Sequence, residues 1–182
     1  MRRYVTCMAL PDSAEILAFH GRAICVRQLY PEDRSLLEEL VARTALHDLQ
    51  MRFFGGFRKL PPDLLDHLMR IDPEQRIALV ASSYRSSGTP EILAVGRAHA
   101  VAQGSAELAL LVRSDLKGLG LGSLLLERLI RCCRKRGVSR LEADVLRENA
   151  PMLRLADRYG FRREAAQQEI THLVLELSSL AA

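Results

Sequence analysis

The sequence is poor in aromatic residues and in lysine. It has no tryptophan, aromatic residues make up 5% of it, and lysine occurs only at Lys59, Lys117 and Lys135. The net charge of +4 is therefore carried by arginines that are spread along the chain and form no basic tail. Because nucleic-acid binding needs a concentrated basic surface, we expect no nucleic-acid partner.

The sequence also lacks a long apolar run and a spaced set of cysteines. No stretch approaches the ~20 apolar residues of a membrane-spanning helix, and the apolar part of the amino-terminal segment is too short for a secretory signal. The four cysteines, at positions 7, 25, 132 and 133, form no CxxC pair and no metal-binding set. We therefore expect a cytoplasmic protein with reduced cysteines, no membrane association and no metal.

The length and composition of the chain allow one hydrophobic core. The chain has 182 residues, of which 48% are hydrophobic. This is enough for one well-filled core and short for two. We expect a single domain.

Residues 107–137 combine a strand, a glycine-rich turn and a long helix. Glu107–Val112 is apolar after its leading carboxylate, and leucines recur at helical spacing from Leu121 onward, which predicts a strand followed by a helix. Between them lies KGLGLG, residues 117–122. Glycines let a ligand approach the backbone closely, and the first N–H groups of a helix have no partner within it, so this turn predicts an anion site. The alternative is a flexible connection into a helix that ends at Gly137.

The remaining strands are predicted from apolar, β-branched segments between turns. They lie at 24–29, 76–82, 91–101 and 106–113 before the long helix, and at 140–145 after it. A strand that follows a crossover helix runs parallel to the strand before it. The last segment, 169–177, alternates and is predicted to close the sheet beside a strand near Phe161. The fold class is α/β, with a mixed and mostly antiparallel sheet.

Three further helices are predicted. One follows Pro31, a second begins at Pro61, and a third begins at Asn149 and ends at Gly160, in agreement with the usual start and stop residues of helices. The stretch 46–60 contains three phenylalanines and two glycines. We expect it to be a loop.

The glycine turn and its strand resemble motif A of the GNAT superfamily of N-acetyltransferases, in which two residues separate an Arg or Gln from the sequence Gly-x-Gly/Ala. Lys117 stands where the family has Arg or Gln, so a cation is kept without the planar guanidinium. The resemblance covers residues 24–177 and implies a GNAT fold with six to seven strands, about four helices and two strands that splay apart at a cofactor cleft. Residues 1–23 are then an amino-terminal extension in which Tyr4–Leu10 would add an edge strand, and residues 178–182 are a tail.

The same resemblance implies that acetyl-CoA is the acetyl donor. Backbone N–H groups of the turn would hold the coenzyme A pyrophosphate, and the end of the preceding strand would pair with the pantetheine arm. Asn149 would cap its helix and would also be a side-chain donor to the cofactor. The residues expected to bind coenzyme A are Leu110, Leu111, Val112, Lys117, Gly118, Leu119, Gly120, Leu121, Gly122, Ser123 and Asn149.

The segment MRFF at 51–54, followed by Leu60 and by Ile-Asp at 71–72, resembles the acetyltransferase domain of bacterial Pat-type protein lysine acetyltransferases. This resemblance implies that the acceptor is a lysine of a protein such as an acyl-CoA synthetase. A lysine ammonium has a pKa of about 10.4, so a base must take its proton. By the resemblance that base is Glu107, and a backbone N–H near Leu111 would stabilise the charge on the thioester oxygen.

A tyrosine that serves many family members as general acid is missing. Its place, seven residues after Asn149, is occupied by Ala156, as in Pat-type relatives. A thiol with a pKa of about 8.5 leaves as a thiolate without an obligatory acid. We expect Tyr159 to pack near the helix end and His99 to be an ordinary strand residue.

Two other functions remain open from the sequence. The chain would be a small-amine or peptide N-acetyltransferase, or a non-catalytic regulatory module that binds acetyl-CoA. The phenylalanines of segment 46–60 are also compatible with a loop that is anchored in the core. No nucleotide-binding segment fits within residues 1–23, so we expect control to come from partners or oligomerisation, and a homodimer is compatible with the sequence.

Overall fold

The computed structural model describes residues 15–55, 59–70, 72, 74–102, 104–167 and 169–177. The predicted edge strand at Tyr4–Leu10 and the tail at 178–182 lie outside the described residues.

Within these ranges the chain forms one sheet and five α-helices. The strands are β1 (Glu15–Phe19), β2 (Arg22–Gln28), β3 (Arg76–Tyr84), β4 (Pro90–Ala102), β5 (Ser105–Val112), β6 (Arg140–Leu146), β7 (Arg162–Gln167) and β8 (Ile170–Glu176). The helices are α1 (Arg34–Ala42), α2 (Leu46–Phe53), α3 (Pro62–Met69), α4 (Leu121–Lys135) and α5 (Ala150–Arg158). None of the described helices has the length and apolarity that a membrane span requires.

The sheet is mixed and mostly antiparallel, as predicted. Its strand order is β1-β2-β3-β4-β5-β6-β8-β7, and β1 through β5 are paired antiparallel in succession. Among the described strands, the single parallel pair is β5 with β6, which are joined by α4, as the crossover rule predicts. The described part of the sheet has eight strands, against six to seven expected from the resemblance. The additional edge strand is β1, and it pairs with β2.

Each face of the sheet is covered by its own set of helices. Alternate residues of a strand point to opposite faces, so in β5 Leu108 packs with α4 and α5 whereas Leu111 packs with α1, α2 and α3. The helix α4 lies very close to the sheet because Gly96 of β4 leaves room for it. A Cβ at position 96 would be 2.8 Å from Leu129 Cδ1 and 2.9 Å from Leu110 Cδ2. Both cores therefore hold β5 from opposite sides.

The prediction of a loop at 46–60 is wrong for the first half of this segment, which forms the helix α2. This helix has only two turns, and isolated helices of that length are not stable in water. Packing stabilises it, since Leu49 and Met51 are buried. It ends where Phe54 adopts the left-handed conformation, with φ of 56°. Its aromatic and glycine content hid the helical pattern.

The carboxyl-terminal strand β8 pairs with β7, the strand that follows Phe161, as predicted, but it does not form the edge of the sheet. β8 lies between β6 and β7 and pairs with both, so β7 is the edge of the sheet. In β7 the side chains of Arg162, Arg163 and Glu164 are exposed, which is typical of an edge strand. β8 is flanked on both sides, and its Leu173 and Val174 are fully buried.

Candidate functional site

A cavity of about 740 Å³ opens where β5 and β6 part. The two strands pair only from Ser105–Glu107 with Arg140–Glu142. Beyond Glu107, β5 keeps β4 as its partner, but its other edge faces the cavity. An extended ligand with amide groups can pair with such an edge as an added strand. Leu110, Leu111 and Val112, the predicted binding residues of β5, all line the cavity.

The glycine turn closes one side of the cavity. Gly118 and Gly120 have φ of 76° and 103°, a conformation that residues with a Cβ rarely adopt. Gly120 is the N-cap of α4, and the first helical hydrogen bond is donated by Leu124 N to Gly120 O. The preceding N–H groups, at Leu121, Gly122 and Ser123, have no partner within the helix. The helix dipole adds partial positive charge there, so this end of α4 favours an anion.

Most residues of the predicted binding set line this cavity. Besides the three β5 residues, the lining includes Lys117, Gly118, Gly120, Leu121, Gly122, Ser123 and Asn149. Leu119 does not line it, and its side chain is 38% exposed. A role for Leu119 would therefore depend on its backbone.

Lys117 forms an ion pair with Asp48 of α2. Asp48 also accepts a hydrogen bond from Ser114 Oγ at 2.5 Å. Burial opposes the ionisation of Asp48, but the hydrogen bonds from Lys117 and Ser114 outweigh it, so the pKa of Asp48 lies below its ordinary value. The Lys117 ammonium at the glycine turn thus forms an ion pair with α2, on the opposite wall of the cavity. This ion pair could not be predicted from the sequence, because 69 positions separate the two residues.

Glu107 lies at the point where β5 and β6 separate. It is the last β5 residue paired with β6, opposite Glu142, and on its other side it is opposite His99 of β4. Its side chain is exposed and lines the cavity. A substrate amine that enters the cavity can therefore reach this carboxylate. His99 does not line the cavity, and its Nδ1 is buried without a hydrogen-bond partner among the described residues.

Arg52 lies beside Glu107 in the wall of the cavity. Its guanidinium stacks on Phe53, with 4.7 Å between Arg52 Cζ and the ring centroid. Burial lowers the pKa of Arg52 to about 10, and the negative charge of Glu107 opposes this effect. The sequence singled out Arg52 only as part of the MRFF segment. Its position facing the cavity comes from α2, which was predicted as a loop.

The helix α5 forms the remaining wall. Asn149 Oδ1 accepts a hydrogen bond from Met152 N at 3.2 Å, which confirms the predicted helix cap. Tyr159 Oη donates to Ser123 O at 3.1 Å and does not line the cavity. This hydrogen bond links the end of α5 to α4, in agreement with the packing role expected for Tyr159. Ala156 is fully buried.

Comparisons with known proteins agree with this geometry. The profile of the acetyltransferase (GNAT) family matches residues 43–161. Acetyltransferase PA5475 of Pseudomonas aeruginosa is 28% identical over 158 residues, which are 87% of this chain and 85% of that protein.

Two solved structures share the fold. The GNAT domain of S. lividans PAT superposes with a TM-score of 0.81 at 23% identity, covering 90% of this chain and 97% of that one. The acetyltransferase yncA of Salmonella typhimurium, solved with its cofactor acetyl-CoA, gives a TM-score of 0.64 at 20% identity and covers 87% and 96%. Since the family profile matches more than half of the chain and the fold agrees, the protein belongs to the acetyltransferase (GNAT) family, whose acetyl donor is acetyl-CoA.

Proposed function

We propose that the protein transfers the acetyl group of acetyl-CoA to the side-chain amine of a lysine on another protein, such as an acyl-CoA synthetase. The observation that carries this proposal is the position of Glu107. Its exposed carboxylate lies at the fork between β5 and β6, in the same cavity as the glycine turn. A base and an anion site are thereby combined in one cleft.

The residues of the cleft fit coenzyme A. The β5 edge at Leu110–Val112 offers backbone groups to the amides of the pantetheine arm, and the N–H groups at the start of α4 suit the pyrophosphate. No Cβ at Gly118 or Gly120 obstructs the approach to the turn. When bound, the cofactor supplies an activated thioester. Asn149 uses its Oδ1 as the helix cap, which leaves its amide N–H groups as donors.

Glu107 carries the proton transfer in this mechanism. An acceptor ammonium with a pKa of about 10.4 must lose a proton before its nitrogen can attack the thioester carbon. The Glu107 carboxylate takes that proton, directly or through a water, and general-base catalysis of this kind contributes about 100-fold to 10,000-fold in rate. As the carbon–nitrogen bond forms and the carbon–sulfur bond breaks, the nitrogen loses its second proton to solvent. The coenzyme A sulfur leaves as a thiolate, since a thiol pKa of about 8.5 makes a dedicated acid unnecessary.

The rim of the cavity supports an acceptor that is part of a macromolecule. Phe54 lines the cavity and its side chain is 50% exposed. Exposed aromatic side chains next to a cleft are typical of protein-binding surfaces. The carboxylate of Glu107 is itself exposed, so a long lysine side chain can reach it while the rest of the acceptor stays outside.

The proposal is tested by measuring coenzyme A release from acetyl-CoA with a purified acyl-CoA synthetase as acceptor. We expect Glu107→Gln to lower kcat/KM at least 100-fold, because amide nitrogen and oxygen do not take the proton. Its affinity for acetyl-CoA, measured by calorimetry, should stay within about twofold, since the cofactor contacts are elsewhere in the cleft. Glu142→Gln is the matched control: it removes the carboxylate that lies opposite Glu107 in β6 and is paired with Arg140.

Each result of this experiment bears on a different part of the proposal. If Glu107→Gln turns over like the wild type, Glu107 is not the base. If the synthetase is not acetylated but polyamines or amino acids are, the acceptor is a small amine. If acetyl-CoA binds and no acceptor in a broad panel is acetylated, the chain is a binding module.

A further inference from the structure

Two arginines near Glu107, Arg52 and Arg97, form no ion pair with a carboxylate in the described part of the chain, although the charge of Glu107 acts on Arg52 from a longer distance. In the part of the chain that the structure describes, no Asp or Glu oxygen lies within 4.0 Å of the guanidinium nitrogens of Arg52 or Arg97. Arg97 Nη1 donates to Leu68 O at 2.7 Å, whereas Arg97 Nη2 is buried without a hydrogen-bond partner. Buried charged donors that lack a partner are costly.

The two guanidiniums belong to one group with Glu107. In the sheet Arg97 is opposite Ala109 and His99 is opposite Glu107, so Arg97 and Glu107 lie on the same face, two positions apart along their strands. Arg52 reaches this face from α2, and it lines both the main cavity and a small inner cavity that Arg97 and Ala109 also line. Ala109 lies between them on β5 and lines both cavities, whereas Arg97 lines only the inner one and Glu107 only the main one.

The charges of Arg52 and Arg97 repel each other. Burial lowers the pKa of Arg97 to about 10, and the positive charges of Arg52 and Arg76 contribute to this. The pKa of Arg52 is lowered by burial to about the same value. Both groups remain protonated near pH 7, so an anion bound at Arg52, which lines the main cavity, would offset their repulsion.

We propose that Arg52, with Arg97 behind it, binds a carboxylate that the acceptor carries next to its reacting amine. In a protein acceptor this carboxylate is the side chain of an aspartate or glutamate adjacent to the target lysine. An arginine binds a carboxylate through two parallel N–H donors, which also fixes its orientation. The amine would then be directed toward Glu107. This inference rests on the proposed function, because it takes the amine to react at Glu107.

A binding experiment that involves no reaction tests this inference. The protein is loaded with coenzyme A and titrated by calorimetry with two blocked peptides that differ only in an aspartate or an asparagine next to the lysine. The aspartate peptide should bind about tenfold more tightly, the effect of one hydrogen-bonded charge pair. In Arg52→Gln the ratio of the two affinities should fall to about one. Arg52→Lys, which keeps the charge without the paired donors, should keep part of the preference.

Arg34→Gln is the matched control. It removes an arginine of α1 whose ion pair with Asp66, at 2.6 Å, lies on the exposed surface. This variant should keep the full tenfold preference. Circular dichroism and the Tm of each variant show whether it is folded, and Arg52→Lys covers the case in which Arg52→Gln is not.

The results separate this inference from the proposed function. Equal binding of the two peptides by the wild type, or an unchanged preference in a folded Arg52→Gln, overturns the carboxylate subsite while leaving lysine acetylation intact. A preference that depends on Arg52, without acetyl transfer to either peptide, supports the subsite and contradicts the function. A third arm compares succinyl-CoA with acetyl-CoA as donor: a dependence on Arg52 found only there would assign the carboxylate to the acyl group and overturn the proposal.

Discussion

Two arginine-rich regions of this protein differ in how their charges are compensated. In the first, Glu91 at the start of β4 is 4% exposed and accepts hydrogen bonds from Arg113, Arg43 and Arg85. Arg113, 3% exposed, also donates to Asp115 at 2.6 and 3.0 Å. Burial opposes the ionisation of Glu91, but the bonds from Arg113, Arg43 and Arg85 outweigh it and hold its pKa below the ordinary value.

In the second region, Arg52 and Arg97 form no ion pair within the described residues, and Glu107 acts on Arg52 only from beyond ion-pair distance. Their pKa is lowered to about 10 by burial, the opposite direction to that of Arg113, whose pKa is raised because the hydrogen bonds to Asp115 and Glu91 outweigh burial. The contrast separates two uses of the same residue type. Arginines that form ion pairs within the chain stabilise the fold, whereas an arginine that forms none among the described residues and lines a cavity, as Arg52 does, is available to a ligand.

Replacement of Glu91 tests the first of the two regions and should have the largest effect on the free energy of unfolding. Glu91→Gln removes the buried carboxylate that pairs with the buried guanidinium of Arg113 and leaves Arg113 only the exposed Asp115. Breaking a buried ion pair in this way costs about 3 kcal/mol or more of the free energy of unfolding. Urea denaturation followed by circular dichroism measures this loss. Glu39→Gln is the control, since the 36% exposed Glu39 side chain also pairs with Arg85 and exposed pairs contribute less than about 1 kcal/mol. Similar losses in the two variants would contradict a special role for Glu91.

The pH dependence of stability sharpens the same contrast. The pKa values of Glu91 and Asp115 are lowered in the folded state, so their contribution is complete above their ordinary values, near pH 4, and is lost as the pH falls through the lower folded values. The wild type should therefore lose stability steeply on acidification from about pH 5 to about pH 3, by at most about 1.4 kcal/mol per pH unit for each proton taken up. Urea titrations at several pH values should show a shallower loss in Glu91→Gln. An identical slope would mean that Glu91 titrates normally.

Removal of Arg52 should have the smallest effect on stability. Arg52 is half-buried and forms no ion pair among the described residues, so Arg52→Gln relieves a desolvation cost while it gives up the stacking on Phe53 and the longer-range attraction to Glu107. We expect the free energy of unfolding to stay within about 1 kcal/mol of the wild type, measured in the same urea experiments. A loss as large as that of Glu91→Gln would show that Arg52 is structural, and the distinction between the two regions would not hold.

The elements that could be predicted from the sequence are those whose signals are local. The strand from Glu107, the glycine turn and the helix α4 follow one another within about thirty residues, and each has its own pattern of periodicity or glycine. The cap at Asn149 is equally local, because its hydrogen bond spans three residues. These segments contain most of the predicted cofactor-binding residues, which is why the cavity lining agrees so well with them.

The features that the sequence did not reveal depend on contacts between distant segments. The helix α2 has too few turns to be recognised by its own pattern, and it is stabilised by burial of Leu49 and Met51. The place of β8 inside the sheet depends on pairing with β6 and β7 at once, which no local pattern encodes. The ion pair of Asp48 with Lys117 likewise depends on α2 packing beside the glycine turn.

The sequence by itself predicted an anion site, because a backbone-based site of this kind needs only a strand, glycines and a helix in succession. The GNAT fold and the coenzyme A cleft were implied by the resemblance of this segment to motif A. Only the tertiary structure decided what surrounds Glu107. Arg52 lies in a helix and Arg97 in a strand, and 45 positions separate them in the sequence. No local pattern distinguishes these two from the many other arginines of the chain. Whether a guanidinium finds a carboxylate or faces an open cavity depends on the packing of the whole chain.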